Sequence, residues 1–131
     1  MKSAYSVHWK SSTNPRKQRK YQYNAPLHTR GSFLHAPLSK ELRKKHNTRS
    51  ARVRKGDKVA IMRGQFKGRT GTVDRVDLSR NKIYVAGMEL SKKDGSKVPY
   101  PLNASNVMIT TIASDDKRRF KSASNKSTSE E

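Results

Sequence analysis

Apolar and polar residues alternate in the central part of the chain. Val59 and Ile61 alternate with Lys58, Ala60 and Met62, which is the two-residue period of a half-buried β-strand. The same period returns around Val73, over Ile83–Val85, and towards the end of the chain, so we predict a small, mostly β domain. The predicted core residues are Val59, Ile61, Val73, Val76, Ile83, Val85, Val98, Val107 and Ile109.

Irregular spacing within this pattern predicts local features of the sheet. Val73 and Val76 are three residues apart, and a β-bulge between them would place both side chains on the same face. Residues 77–82 form a polar turn, and Asp94-Gly95 predicts a second hairpin turn. Pro99 restricts the strand that follows this turn to a sheet edge or a strand end.

Three glycines, Gly64, Gly68 and Gly71, punctuate the segment between the first two predicted strands. Because glycine permits positive φ and close backbone approach, we predict a tight and well-defined loop there. A rigid loop with cations and an aromatic ring suits a phosphate backbone and a stacked base. The loop residues of this kind are Arg63, Phe66, Lys67 and Arg69.

One or two short helices are predicted before the strands. Residues 24–28 form a turn into the first helix, with Asn24 as its cap and Pro26 in its first turn; Pro37 ends this helix at the latest.

The second helix covers residues 38–46, with Ser39 as its N-cap and cations towards its C-terminal end. Leu38 and Leu42 share one face and are expected to dock on the β domain.

Net charge points to the partner. The 131 residues include 30 Lys and Arg but 10 Asp and Glu, which gives a formal net charge of +20. Residues 1–55 hold 15 of these cations and one acidic residue, Glu41. So basic a chain favours a polyanion, and nucleic acid is the expected partner. The predicted RNA-binding residues are Arg16, Lys17, Arg19, Lys20, Tyr21, Tyr23, His28, Arg30, Lys40, Arg43, Lys44, Arg49, Arg52, Arg54, Lys55, Arg63, Phe66, Lys67 and Arg69.

Other functional classes find little support in the sequence. There is no cysteine, the four histidines lack metal-like company, and no nucleophile–base set or phosphate-loop fingerprint is present. We therefore expect no catalysis, no cofactor, no metal and no small-molecule substrate. The sequence has no apolar run of about 18 residues, no apolar leader and no basic amphipathic face. The chain is therefore expected to be cytoplasmic rather than membrane-bound.

The two ends of the chain are harder to interpret. Trp9 either stacks on a base or covers the edge of the β domain. Residues 15–20 form a cationic cluster of a kind that is usually disordered when free. Residues 114–131 are rich in serine and charge and are predicted to be disordered; Lys117–Arg119 could contact RNA, although a solvated tail is favoured.

The central segment resembles the KOW motif of ribosomal proteins and transcription elongation factors, through the pattern Gly56-Asp57-x-Val59-x-Ile61-x-x-Gly64-x-x-Lys67-Gly68-x-x-Gly71-x-Val73. Flanking blocks extend the resemblance to the archaeal and eukaryotic branch of the ribosomal large-subunit protein 24 family, whose eukaryotic counterpart is large-subunit protein 26. These blocks are Lys17-Gln-Arg-Lys20, Asn24-Ala-Pro-Leu-His28, Ala36-Pro-Leu-Ser-Lys-Glu-Leu-Arg43, Arg49-Ser50, Val53-Arg-Lys-Gly-Asp57, Lys92-Lys-Asp-Gly95 and Ser105-Asn-Val-Met-Ile109. Asn103-Ala104 departs from the family's usual His-Pro, and residues 88–91 and the first fourteen residues also depart from it.

The resemblance implies an SH3-like barrel over residues 53–113, preceded by a basic RNA-binding extension (1–52) and followed by a polar tail (114–131). It further implies a structural protein of the large ribosomal subunit that binds its 23S-type rRNA near the 5′ end. Early action in assembly, a place near the polypeptide exit tunnel and contacts with neighbouring ribosomal proteins are also implied. We expect the barrel to stay folded when residues 1–52 are removed.

Two other functions are also compatible with the sequence. A KOW module of a transcription elongation factor would share the barrel, but such modules accompany a larger domain. A histone-like DNA compactor is favoured by charge alone.

Overall fold

A computed structural model describes residues 5–9, 11–113 and 119–120 of the chain. The helices are α1 (Pro15–Asn24), α2 (Leu27–Phe33) and α3 (Lys40–His46), and a short 3-10 helix covers Ala104–Asn106. The strands are β1 (His35–Pro37), β2 (Ser50–Arg52), β3 (Lys58–Ile61), β4 (Thr70–Asp77), β5 (Lys82–Val85), β6 (Glu89–Ser91), β7 (Lys97–Pro99) and β8 (Val107–Thr111).

The strands form three antiparallel sheets. The main sheet has four strands in the order β5-β4-β3-β8, while β1 pairs with β2 and β6 pairs with β7. The small β domain is therefore confirmed. Among the described strands no ladder joins β8 to β5, so the main sheet is open and a closed barrel stays a prediction.

The irregular spacing of the valines has the predicted consequence. The register between β4 and β5 shifts between Val73 and Arg75, so that Val73 pairs with Val85 and Val76 pairs with Ile83. The bulge turns both valines towards the core: Val73 is buried, and Val76 is half-buried against it. The predicted β-bulge is thus confirmed.

The hydrophobic core is shared between the N-terminal extension and the main sheet. Leu34, Ala36, Leu38 and Ala51 are buried in one cluster with the valines and isoleucines of β3, β4, β5 and β8. Backbone bonds tie the two parts together, since the Val53 amide donates to the Leu34 carbonyl at 3.0 Å. Removal of residues 1–52 would take these four side chains from the core, which argues against the expectation that the β domain folds without them.

Val98 is the predicted core residue that lies elsewhere. Its side chain is 38% exposed, and it pairs with the exposed Leu90 in the β6–β7 hairpin. That hairpin stands apart from the main sheet, so alternation along β7 gives it no buried face. Met88, Leu102 and Tyr84, which the alternation did not identify, are buried instead.

Helix starts in the extension follow their capping residues. The cationic cluster at residues 15–20, expected to be disordered, is helical in α1, because the Asn14 side chain accepts the Arg16 amide at 3.0 Å and proline opens the first turn. Asn24 ends α1 and does not cap α2, whose N-cap position is Pro26.

The predicted second helix is confirmed as α3. The Ser39 hydroxyl caps it by accepting the Leu42 amide at 3.4 Å. Leu38 precedes the first turn and is fully buried, and Leu42 packs against the core, as predicted.

Candidate nucleic-acid interface

The glycine loop between β3 and β4 is a compact turn that projects three cations. Gly64 and Gly68 have φ of +98° and +84°, a conformation that favours glycine. The Gly68 amide donates to the Ile61 carbonyl at 2.9 Å, which closes the loop on the end of β3. Arg63 and Lys67 are exposed on this loop and Arg69 follows them, so all three can reach a polyanion.

Phe66 holds the loop from beneath. Its ring is 6% exposed and meets the Tyr100 ring edge-on, with the centroids 5.2 Å apart. The Arg69 guanidinium lies over the same ring, 5.4 Å from its centroid. The expectation that Phe66 stacks on a base is corrected, because core packing takes up its faces and gives the ring a structural role.

Gly71 allows β4 to lie close to the C-terminal end of β5 and the residue after it. A Cβ at this position would lie 2.7 Å from Val85 Cγ1 and 2.9 Å from the Ala86 carbonyl oxygen. Gly71 is thus needed for space, not for positive φ.

A groove of about 620 Å³ runs between the start of the β domain and β4. Arg52, Arg54, Lys55 and Arg75 line it, with Asp74 as its acidic residue. Sequence reasoning missed Arg75, which lies across from Tyr84 with its guanidinium 4.3 Å from the ring centroid. Its position on the exposed face of the bulged strand was the available signal. The groove can accept a phosphate backbone.

Helix α1 carries a dense group of exposed cations. Arg16, Lys17, Arg19 and Lys20 are all exposed, and the ten residues of the helix include no acid. The other exposed residues of the predicted set are Tyr23, His28, Lys40, Arg43, Lys44, Arg49, Arg52, Arg54 and Lys55. The structure thus leaves most of the predicted residues accessible.

Arg30 has a structural position instead. Its guanidinium donates to the backbone carbonyls of Ala25 at 2.8 Å and Ser79 at 2.6 Å, and to that of Tyr23. These bonds tie the α1–α2 junction to the β4–β5 turn. Arg43 is held in part, since its Nε donates to the Leu38 carbonyl at 2.8 Å.

The N-terminal aromatic residues form a cluster on α1. Trp9 stacks on Tyr21, with the ring centroids 4.3 Å apart and 19° between the planes. Tyr21 is half-buried and also meets Phe33 edge-on. The ring contact that the structure gives to Trp9 is therefore within the extension, not at the edge of the β domain.

Asp57 is a buried carboxylate that fixes the start of β3. It is 0% exposed and accepts the backbone amides of Arg54 at 2.9 Å and Ala113 at 3.2 Å. Arg119 forms a bidentate ion pair with it, at 3.0 and 2.6 Å.

The C-terminal segment is partly docked. Phe120 stacks on His46, with centroids 4.0 Å apart. The predicted disorder is therefore corrected at residues 119 and 120, where Arg119 is neither solvated, as the sequence favours, nor free for RNA, but paired with Asp57. The rest of the predicted tail, with Lys117 and Arg118, lies outside the described residues.

Two effects lower the pKa of His35, the first residue of β1. Burial lowers its pKa, and the neighbouring positive charge of Arg52 lowers the pKa further. Both effects disfavour the charged form of the His35 imidazole.

Within the described ranges, no group of three or more His, Asp or Glu side chains is arranged to hold a metal ion. None of the helices there has the length and apolar character that crossing a bilayer requires.

Comparison with known proteins identifies the family. The model of the family described as eukaryotic ribosomal proteins L26 and their archaeal L24 counterparts matches residues 12–126. A relative, the "Large ribosomal subunit protein uL24" of Methanocorpusculum labreanum, is 53% identical over 106 residues, which cover 81% of this chain and 88% of that protein. The glycine loop, the bulged strand and residues 12–52 of the basic extension lie within the matched range. The chain therefore belongs to the ribosomal protein family that comprises eukaryotic L26 and archaeal L24.

Proposed function

We propose that this protein is a structural constituent of the large ribosomal subunit and binds its rRNA directly through two basic surfaces. The first is the exposed face of α1, and the second comprises the glycine loop and the groove beside β4. The observation that carries the proposal is that α1 has four exposed cations and no acidic residue. The name of the 53% identical relative supports the large subunit as the site of assembly.

The mechanism is neutralisation of phosphates by a preformed scaffold. Cations on α1 and on the loop displace condensed counterions from RNA, so binding falls steeply with salt. The shared core fixes where the two surfaces point, and recognition then rests on the shape of the RNA and on its unstacked loops.

Family resemblance supports the finer statements. We propose that the protein binds 23S-type rRNA near its 5′ end, acts early in subunit assembly and lies near the polypeptide exit tunnel of cytoplasmic ribosomes. We also propose that the sheet closes into the family's SH3-like barrel, and that the exposed Leu90 and Val98 of the β6–β7 hairpin meet a neighbouring ribosomal protein.

Salt-dependent binding tests the proposal. The affinity of the full chain for large-subunit rRNA is measured by filter binding from low to moderate salt, alongside a variant with Arg16, Lys17, Arg19 and Lys20 changed to alanine. Each lost phosphate contact reduces the slope of log K against log salt by about 0.7–0.9, so loss of all four reduces it by about 3.

A matched control changes three exposed lysines of the β6–β7 hairpin region, Lys92, Lys93 and Lys97, and is expected to keep more of the slope. Equal slopes for the wild type and the α1 variant would refute the assigned surface. Co-sedimentation with RNA polymerase, together with absence from salt-washed large subunits, would refute the ribosomal role and favour a transcription elongation module.

A further inference from the structure

A cavity of about 280 Å³ lies between the N-terminal segment and α1. Its volume is near the lower limit for small-ligand pockets, about 300 Å³, which suits a single planar ring system. Three aromatic rings and two lysines are among the residues that line it. The residues that carry the argument are Tyr5, Trp9, Tyr21, Lys17, Lys20 and Asn24.

The aromatic walls are held in place by one another. The hydroxyl groups of Tyr5 and Tyr21 are hydrogen-bonded at 2.9 Å, and Tyr5 also donates to Thr29 Oγ1 at 3.4 Å. Trp9 stacks on Tyr21, and Phe33 supports Tyr21 from its edge. Because these contacts fix the rings before any ligand arrives, little side-chain freedom is lost on binding.

The hydrogen bonds also shift the pKa values of the two phenols in opposite directions. Bonds with Thr29 and then Tyr21 lower the pKa of Tyr5, whereas the bond with Tyr5 raises the pKa of Tyr21. The hydrogen bond itself, at 2.9 Å, holds the two rings next to each other.

The two lysines give the cavity its preference for a nucleotide. Lys17 and Lys20 are three residues apart on α1 and so lie on one face of the helix. A base that enters the cavity would lie against the aromatic cluster and would carry its flanking phosphates past both ammonium groups. An RNA duplex cannot insert a base without opening, so the geometry selects single-stranded or bulged RNA.

We propose that this cavity binds one unstacked base of an RNA strand, with Lys17 and Lys20 on the adjoining phosphates. The inference rests on the proposed RNA-binding function and deepens it by naming a site for a base. Sequence types alone left Trp9 with two interpretations, and the structure supplies the cavity that favours the base.

Trp9 is the single tryptophan of the chain, so its fluorescence reports on this cavity alone. The full chain is titrated with a short single-stranded oligoribonucleotide, with the same sequence in duplex form, and with inorganic polyphosphate at equal phosphate concentration. We expect the single strand to quench Trp9 fluorescence and the two other probes to leave it nearly unchanged. Equal quenching by polyphosphate, or no quenching by any probe, would overturn the inference.

Substitution gives a second measurement. Trp9→Ala is expected to weaken binding of large-subunit rRNA about 5- to 150-fold, the range for loss of one stacked base, and Trp9→Tyr to restore most of it. Val7→Ala is the control, because Val7 is exposed in the same segment and does not line the cavity.

The two proposals fail in different ways. If the wild type binds rRNA with steep salt dependence while Trp9 neither responds nor matters, the cavity is refuted and the ribosomal function stands. If the wild type does not bind rRNA at all, the proposed function itself is refuted.

Discussion

Replacement of Leu38 by alanine tests whether the N-terminal extension is part of the core. Leu38 is 0% exposed and forms a parallel bridge with Ile109 of β8, while the next amide, that of Ser39, donates to the Ile109 carbonyl at 2.9 Å. The side chain thus fills the contact between the extension and the main sheet. Leu→Ala at such a site costs about 2–5 kcal/mol, from lost transfer energy and the cavity that remains.

That loss is large for a domain of this size. Native domains of roughly 100 residues have free energies of unfolding of about 5–15 kcal/mol. Each kcal/mol shifts the Tm of a domain of 60–100 residues by about 4–8 °C, so the smallest expected loss already lowers Tm by about 8 °C. Backbone bonds around Leu38 remain, so the variant is expected to be folded at low temperature.

Thermal and urea unfolding of the full chain, followed by circular dichroism, measures the effect. Leu27→Ala is the matched control, because Leu27 is a leucine of the same extension but is 57% exposed. The control should change stability by less than about 0.5 kcal/mol. Similar Tm values for the two variants would show that the extension is not part of the core, and would restore the expectation that residues 53–113 fold alone.

Three further predictions concern buried charge, close packing and acidity. Asp57→Asn leaves the Arg119 guanidinium, whose side chain is 3% exposed, without its counter-charge, and should cost about 3–5 kcal/mol in urea unfolding; a cost below about 1 kcal/mol would contradict the ion pair. Gly71→Ala places a Cβ 2.9 Å from a backbone oxygen and should lower Tm, whereas an unchanged Tm would show that the strands can separate freely. Hydrogen bonds from the Ser96 hydroxyl and then from its amide lower the pKa of Asp94, so the stability that they contribute is lost as pH falls through that pKa. Ser96→Ala should raise the pKa of Asp94 towards 3.8 in an NMR titration, and an unchanged pKa would refute the hydroxyl bond.

The sequence predicted those parts of the fold that local spacing determines. Alternation around Val59 gives β3, and the three-residue gap between Val73 and Val76 gives the bulge, because side-chain direction in a strand depends on immediate neighbours. Ser39 likewise caps α3 through a bond to an amide three residues away. Each of these depends on a few consecutive residues.

The parts that failed depend on contacts distant in sequence. Val98 and Leu34 have similar apolar side chains, yet the former lies in a separate hairpin and the latter is buried between the extension and the sheet. The positions of Phe66 and Trp9 depend on such contacts as well. Residue type predicted aromatic chemistry in both places, but only the tertiary fold decides that Phe66 is enclosed while Trp9 lines a cavity.

The cations of the described residues differ in whether the protein itself supplies their partner. Arg119 is paired with a buried carboxylate and Arg30 with backbone carbonyls, so replacing either should reduce stability whether or not RNA is present. Arg16 and Arg19 are exposed on a helix without acids, and their mutual repulsion makes the free protein less stable. Replacing these two arginines should therefore leave the stability of the free protein unchanged or increased, while it weakens RNA binding. These opposite responses distinguish a cation that stabilises the fold from one that binds phosphate.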